Sequence, residues 1–279
     1  MTTTLRPTGP LHQEADGSRS RPYEVCVNGR PVGAIEIGTD PGLGRGAGEI
    51  RSLRIDENDR RRGRGTVAAL AAEEVLRGWG CTQVMVSVPA AATAALRLVT
   101  ALGYIERNTS MARTLPQTAP ELPAATEARP MTEAEFAHWR AAAVDGYAQH
   151  WIDRGVPEAD ARAKSEADHR SSLPDGLATP GSDLWVLVHQ GAVIGSVWVA
   201  QREMAPGEPA GYVYDVEVAE EHRGHGHGRT LMLLAERLAH AAGMSRLGLN
   251  VFAGNTPALR LYESLGYTAT GHHFWKPLL

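Results

Sequence analysis

Hydrophobic residues recur along this chain with two periods, two in the strand-like runs and three to four in the helix-like ones, and the order of runs comes round twice. Residues 23–27 and 32–37 read as strands on either side of Asn28-Gly29, a strong hairpin turn signal, and 49–55 as a third strand. Residues 66–79 carry apolar side chains at helical spacing, 83–88 return to strand, 93–102 form a short helix stopped by Gly103, and 111–115 can close a sheet. Pro116, Pro120, Pro123 and Pro130 then mark a linker, because proline can neither donate to a ladder nor continue a helix. The end of that stretch reads as the first strand of the next unit. Thr132-Glu133-Ala134-Glu135 is a capping box, and it opens a helix with Phe136, Trp139, Ala143, Tyr147 and Trp151 at steps of three and four. A second helix is predicted from Pro157 to about His169. Strands follow at 184–189, 193–200 and 212–218, a helix at 230–242, a strand at 247–251, a helix at 257–265 and a last strand near 272–276.

The recurrence is exact enough to align. Displacing residues 50–104 by 163 positions lays Arg60-x-x-Gly63-x-Gly65 on Arg223-x-x-Gly226-x-Gly228, and Leu102-Gly103-Tyr104 on Leu265-Gly266-Tyr267, with no gap and 18 of 55 positions identical. The chain therefore reads as two copies of one unit. The two helices after Thr132 belong to the second copy alone, since the first begins at its hairpin. Residues 1–21, polar and rich in Thr, Pro, Gly and Ser, are expected to be a mobile tail. The predicted layout is this tail, a truncated unit at 22–115, a proline-rich linker at 116–121 and a complete unit at 122–279.

In the second copy a strand, a glycine-rich turn and a helix follow one another at His222-Arg223-Gly224-His225-Gly226-His227-Gly228-Arg229. Glycines let the backbone approach a phosphate, and the first helical N–H groups point outward with the positive end of the helix dipole behind them. Arg223 and Arg229 add charge. The spacing is not that of a P-loop, and no acidic residue follows at the distance a dinucleotide fold requires. The first copy repeats the turn as Arg60, Arg61, Arg62, Gly63, Arg64 and Gly65, a candidate second cofactor site. His222, His225 and His227 offer a metal cluster as an alternative, but His-Gly-His-Gly-His lacks fixed geometry and supporting partners, so they read as facing solvent or cofactor.

Composition narrows the partners. The formal net charge is −4 and no long basic run exists beyond Arg60-Arg61-Arg62, which leaves little electrostatic case for nucleic acid or an anionic membrane. The first 21 residues hold no apolar leader core, and no run of about 20 apolar residues follows. A cytoplasmic protein is expected. Cys26 and Cys81 are too few for a disulfide framework or a metal site and read as buried thiols. No metal is expected.

The turn Arg223-x-x-Gly226-x-Gly228 resembles motif A of the GNAT superfamily, the Gcn5-related acetyltransferases, and Asn255-Thr256-Pro257 through Tyr262 to Leu265-Gly266-Tyr267 is similar to that family's second signature. The resemblance implies an α/β fold with a mixed sheet, present here as two GNAT-like domains in tandem, the N-terminal one truncated and non-catalytic. The tandem arrangement itself resembles mycothiol synthase. By resemblance, acetyl-CoA is the cofactor, held by Val216, Glu217, Val218, Arg223, Gly224, His225, Gly226, His227, Gly228, Arg229, Asn255 and Tyr262. Tyr262 would protonate the departing thiolate, and the first copy has Val99 there and Ala92 in place of Asn255.

The general base is open between Asp215 and Glu217. Strict alternation would put both on one face of a central strand buried on both sides, an odd place for two acids. In GNAT folds this strand carries a bulge, which can turn such a side chain into the cleft. Residues 212–216 are similar to the corresponding strand of aminoglycoside 3-N-acetyltransferases, which favours Asp215. The implied reaction is direct transfer of an acetyl group from acetyl-CoA to a primary amine of a small molecule, antibiotic-like or aminoglycoside-like. A protein or peptide amine is the alternative acceptor, and a non-catalytic acetyl-CoA-binding regulator the alternative function. Asp145, Asp153, Glu158, Asp160, Glu166 and Asp168, with Trp139, Tyr147 and Trp151, mark the helices expected to wall the acceptor; most of those carboxylates read as solvated helix faces. A monomer or homodimer is expected.

Overall fold

The computed structural model describes residues 2–40, 46–123, 127–153, 156–205 and 207–278. Residues 124–126, where the proline-rich stretch was expected to pass into the second unit, lie outside that description. The chain divides into two compact units, one of Met1–Thr109 with Thr270–Leu279 and the other of Ser110–Ala269.

In the first unit, β1 (Thr3–Pro7) lies antiparallel on β3 (Arg19–Val27), with Thr3 opposite Val27 and Pro7 opposite Tyr23, and the two-residue β2 (His12–Gln13) also pairs with β3. The expected mobile tail is thus corrected. Leu5 packs inward on the core while Arg6 ion-pairs with Glu24, and the β-branched threonines suit extended backbone. A polar edge strand and a polar loop have the same composition. Asn28 and Gly29, with φ of 50° and 83°, turn the chain from β3 into β4 (Arg30–Thr39). Then come β5 (Ala47–Ile55), α1 (Arg64–Gly78), β6 (Gln83–Pro89), α2 (Thr93–Ala101) and β7 (Ile105–Thr114). The core gathers Val25, Ile35, Ile37, Leu76 and Val84, and both cysteines are free and buried.

The second unit holds β8 (Glu127–Pro130), α3 (Glu133–Ile152), α4 (Glu158–Ser172), β9 (Ser182–His189), β10 (Ala192–Ala205), β11 (Glu208–Val218), α5 (His227–Ala241), β12 (Arg246–Phe252) and α6 (Thr256–Ser264). Its strands run β12-β11-β10-β9-β8, with β11 parallel to β12 and antiparallel to β10. One apolar cluster, with Leu231, Leu247 and Tyr267, lies under α5; another, with Trp139, Leu184, Val186 and Trp198, lies under α3.

The strand that completes each sheet corrects the predicted boundaries of 22–115 and 122–279. β13 (Thr268–Pro277), the last strand of the second repeat, pairs antiparallel with β6 in the first unit, with His273 opposite Ser87 and Lys276 opposite Val84. The end of β7, residues 110–114 of the first repeat, lies beside β12 in the second unit. Buried carboxylates lock the exchange. In the first unit Glu73 accepts from Tyr104 Oη at 3.0 Å and from Lys276 Nζ at 2.8 Å. In the second, Glu236 accepts from Tyr267 Oη at 3.3 Å and from Arg113 at 2.7 Å. The three pairs Glu73/Glu236, Tyr104/Tyr267 and Arg113/Lys276 obey the repeat offset, yet each glutamate takes its cation from the other repeat.

Candidate active site

β11 leaves its neighbour early. It pairs with β12 only at Gly211, Tyr212 and Val213, whereas it stays on β10 as far as Val218. The two parallel strands therefore splay from residue 214 onward, and the cleft opens there. At the same point a bulge interrupts the ladder, since Trp198 faces Asp215 while Val199 faces Val213, leaving Tyr214 extra. The bulge changes the phase of the strand. Val213 before it, and Val216 and Val218 after it, all pack into the cluster under α5, so Asp215 and Glu217 are turned to the opposite face. The expected pair of acids on a doubly buried face is resolved in this way.

The two acids differ in surroundings. Asp215 is half-buried and its Oδ2 accepts a hydrogen bond from Trp139 Nε1 on α3 at 2.9 Å, while Glu217 is exposed. Burial pushes the Asp215 carboxyl above its ordinary value; the Trp139 hydrogen bond and nearby His169 oppose the rise, and the Glu217 charge adds to it. Tyr262, on α6 and 6% exposed, has its phenol pushed up to about 12 by burial and then by the charge of Asp215. A carboxylate and a phenol that stays protonated at neutral pH thus stand within electrostatic reach of one another.

The glycine turn follows Val218. Arg223 Nε donates back to the Val218 carbonyl at 3.0 Å, and Gly224 and Gly226 sit at φ of 80° and 86°, which other residues adopt only with strain. Gly226 caps α5, so the helix begins at His227 rather than at the expected Thr230, and Gly228 lies in its first turn. A Cβ on Gly228 would come 3.2 Å from Leu261 Cδ2, so the glycine lets α5 close on α6. Among the described residues the N–H groups of Gly224, His225, Gly226, His227 and Gly228 donate to no backbone carbonyl outside the regular elements, and no side chain caps the helix. A run of backbone donors at a helix N-terminus that no side chain caps fits a pyrophosphate. Arg229 reaches across to Ser264 Oγ at 2.6 Å.

The histidines of the turn gather about His227, whose ring centroid lies 5.8 Å from His189, 6.4 Å from His222 and 6.2 Å from His225. Burial lowers the His227 pKa, and the other three rings lower it further. Among the described residues no group of three or more His, Cys, Asp or Glu is arranged to hold a metal ion. Asn255 is the N-cap of α6, its Oδ1 accepting from Ala258 N at 3.2 Å, a structural task for its side chain.

Most carboxylates of the acceptor helices are paired with local bases. Arg162 takes Asp145 and Glu158, Arg140 takes Glu166, and Lys164 takes Asp168. Aromatic rings pack against one another along these elements: Trp198 stacks on Tyr214 at 4.5 Å, Tyr214 meets Tyr212 at 4.9 Å, and Tyr147 meets His169 at 5.9 Å. Trp139, which touches Asp215 from 76 residues away, carries no sequence signal for that contact.

The first repeat keeps the frame and carries other residues at the candidate positions. Its β5 bulges at Arg51, its Arg60 Nε donates to the Ile55 carbonyl at 2.9 Å, and Gly63 caps α1 at φ 73°. Gly65 sits where a Cβ would lie 3.6 Å from Leu98. Ser52 stands at the register of Asp215, Arg54 at that of Glu217, and the buried Val99 at that of Tyr262. Where the second repeat has His222 and His227, the first has Asp59 and the buried Arg64 in an ion pair, with Arg30 also on Asp59 at 2.9 Å. Arg61 and Arg62 are exposed.

A splayed parallel pair, a bulged central strand and a helix-capping glycine turn define an acyltransferase of the kind that works from a coenzyme A thioester. The chain matches the profile of the acetyltransferase (GNAT) family twice, over residues 3–104 and 147–267, and belongs to that family. It is 31% identical over 144 residues to the uncharacterized N-acetyltransferase YycN of Bacillus subtilis, a match spanning 50% of this chain and 91% of that one. It is 34% identical over 161 residues to a mycothiol acetyltransferase of Thermobispora bispora, spanning 56% of this chain and 50% of that protein. Among solved structures, a GCN5-related N-acetyltransferase from Sphaerobacter thermophilus aligns with a TM-score of 0.58 at 20% identity, over 92% of this chain and 80% of that one. A tandem GNAT protein from the clavulanic acid biosynthesis pathway aligns with a TM-score of 0.51 at 20% identity, over 96% and 85%. At such identities the two structures speak for the fold. No helix among the described residues is long and apolar enough to cross a membrane.

Proposed function

We propose that the second repeat transfers an acetyl group from acetyl-CoA to the primary amine of a small molecule, and that the first repeat does no chemistry. The observation that carries this reading is Asp215 brought by the bulge to the splay of β11 and β12, close enough to Tyr262 for its charge to act on the phenol. Bound acetyl-CoA supplies an activated acyl thioester. The backbone N–H groups from Gly224 to Gly228 would hold its pyrophosphate, with Arg223 and Arg229 adding charge, and the backbone of Val216 to Val218 would face the thioester oxygen where β12 no longer pairs with β11.

An amine attacks only when neutral, and a lysine-like amine with pKa about 10.4 is roughly one part in 10³ to 10⁴ neutral at pH 7. Asp215, its affinity for protons raised by burial, takes the amine proton as the C–N bond forms, with Glu217 the exposed second candidate. Tyr262 holds its proton at neutral pH and gives it to sulfur as the C–S bond breaks. Amine and thioester become amide and free thiol, and the proton gained by Asp215 returns through solvent to the Tyr262 phenolate, which restores both groups.

A panel of amines, from aminoglycosides and polyamines to amino acids and short peptides, assayed with acetyl-CoA by release of free thiol, tests the reading. Turnover is expected with at least one small amine, and Tyr262→Phe is expected to lower kcat by about 10² while leaving acetyl-CoA affinity nearly unchanged. Tight acetyl-CoA binding with no thiol released from any amine would leave a cofactor-binding regulator in place of an enzyme of small amines.

A further inference from the structure

The groups around Asp215 come from four elements: Trp139 on α3, His169 on α4, Glu217 on β11 itself and Tyr262 on α6. Among the described residues Trp139 is the side chain that donates a hydrogen bond to the carboxylate, beside the backbone N–H of Val216, and an indole can only donate. The bond therefore has one direction and needs an acceptor oxygen; no protonation of the indole can reverse it. Trp139 is itself fixed. It is 7% exposed, stacked on Phe136 at 5.9 Å, edge-on to Trp198 at 5.7 Å and to His169 at 6.4 Å, within the cluster that holds Leu184 and Val186. The N–H of this ring donates to Asp215 and not to the packing neighbours Phe136, Trp198 and His169.

We propose that Trp139 is a positioning residue for the base, holding Asp215 Oδ2 so that Oδ1 is the oxygen presented to the amine proton. This rests on the reading of Asp215 as the base of acetyl transfer. A carboxylate on a bulged strand beside an open cleft has rotational freedom about χ1 and χ2, and one charge-assisted bond to a rigid donor removes most of it. The same bond favours the ionised carboxylate and so opposes the upward push of burial, keeping the base available as pH falls.

The bond can be read directly. The chain has six tryptophans, hence six indole N–H resonances in a ¹H–¹⁵N spectrum. The resonance that Trp139→Phe deletes is expected to titrate with pH, and Asp215→Asn is expected to remove that titration. In kinetics, Trp139→Phe is expected to move the acidic limb of the kcat/KM profile to higher pH, with KM for acetyl-CoA unchanged. An indole resonance of Trp139 that ignores Asp215→Asn would overturn the proposal, and that resonance can be assigned in the wild-type chain by triple-resonance spectra without any variant of Trp139 having to fold. So would a Trp139→Phe enzyme whose acidic limb stays in place. If the resonance titrates with Asp215 but Asp215→Asn keeps the wild-type rate, the contact stands and the assignment of Asp215 as base is what fails.

Discussion

At the scale of single residues, the glycines of the turn and Asn255 look alike in the sequence, as members of a binding signature, and the structure gives them different work. Gly226 must be glycine because its backbone is left-handed at φ 86°, and its position at the head of α5 leaves the first N–H groups open. Gly228 must be small because Leu261 is 3.2 Å from where a Cβ would sit. Asn255 instead spends its side chain on the cap of α6. Gly226→Asp would force the left-handed region on a residue with a Cβ, at about 1–2 kcal/mol, and set a negative charge at the pyrophosphate. Calorimetry is expected to show acetyl-CoA affinity down about tenfold or more, since about 1.4 kcal/mol is a factor of ten. Unchanged affinity in a folded variant would move the pyrophosphate elsewhere. These positions were legible because glycine spacing before a helix has few other uses; the partner of Asp215 was not, because a contact between α3 and β11 leaves no local period.

At the scale of elements, the capping box of α3 was legible from Thr132 and Glu135, and the structure adds a third member from β8. Glu135 Oε2 accepts from Thr132 N at 2.8 Å, Glu135 N donates to Thr132 Oγ1 at 3.3 Å, and Arg129 makes two bonds of 2.8 Å to the same carboxylate. Arg129 first, then Thr132, lowers the Glu135 carboxyl to about 2. The sign follows from the lowered value: the stabilisation is present above the unfolded pKa of about 4.3 and is lost as pH falls toward 2. The difference in Tm between wild type and Glu135→Gln, followed by circular dichroism, is therefore expected to be full at pH 7 and to shrink between about pH 4 and pH 2. Thr132→Ala should cost about 1 kcal/mol. A Tm difference that persists at pH 2 would mean that charge is not what Glu135 contributes. The bulge of β11 was the element the residues themselves concealed. Residues 212–218 alternate without a break, and only the register of Trp198 and Val199 on β10 exposes the extra residue.

At the scale of the whole molecule, the repeat was legible in the spacing of its motifs, but the exchange of last strands was not, for a reason the repeat itself supplies. Arg113 and Lys276 are equivalent positions, as are Glu73 and Glu236, so a cation from either strand satisfies either buried glutamate. Chemistry that is nearly symmetric leaves no trace of which pairing is used. The pairing nevertheless decides where damage is felt. Lys276 lies in the second repeat but meets Glu73, which is 1% exposed, in the first unit. Lys276→Ala leaves that carboxylate with Tyr104 alone, and loss of one partner of a buried pair costs about 3–5 kcal/mol, toward the lower end here because the lysine side chain is 22% exposed. Hydrogen exchange by mass spectrometry is expected to quicken in α1 and β6 of the first unit, with α5 and β12 unchanged, although the substitution lies in the last strand of the second repeat. Arg113→Ala should do the reverse, loosening α5 around Glu236. If Lys276→Ala loosens α5 and spares α1, each repeat keeps its own last strand in solution, and a chain beginning at Leu122 should fold as a complete unit. With the strands exchanged, that shortened chain loses residues 110–114 beside β12, and it should expose that edge and aggregate unless its own last strand, residues 268–277, takes the place and brings Lys276 to Glu236.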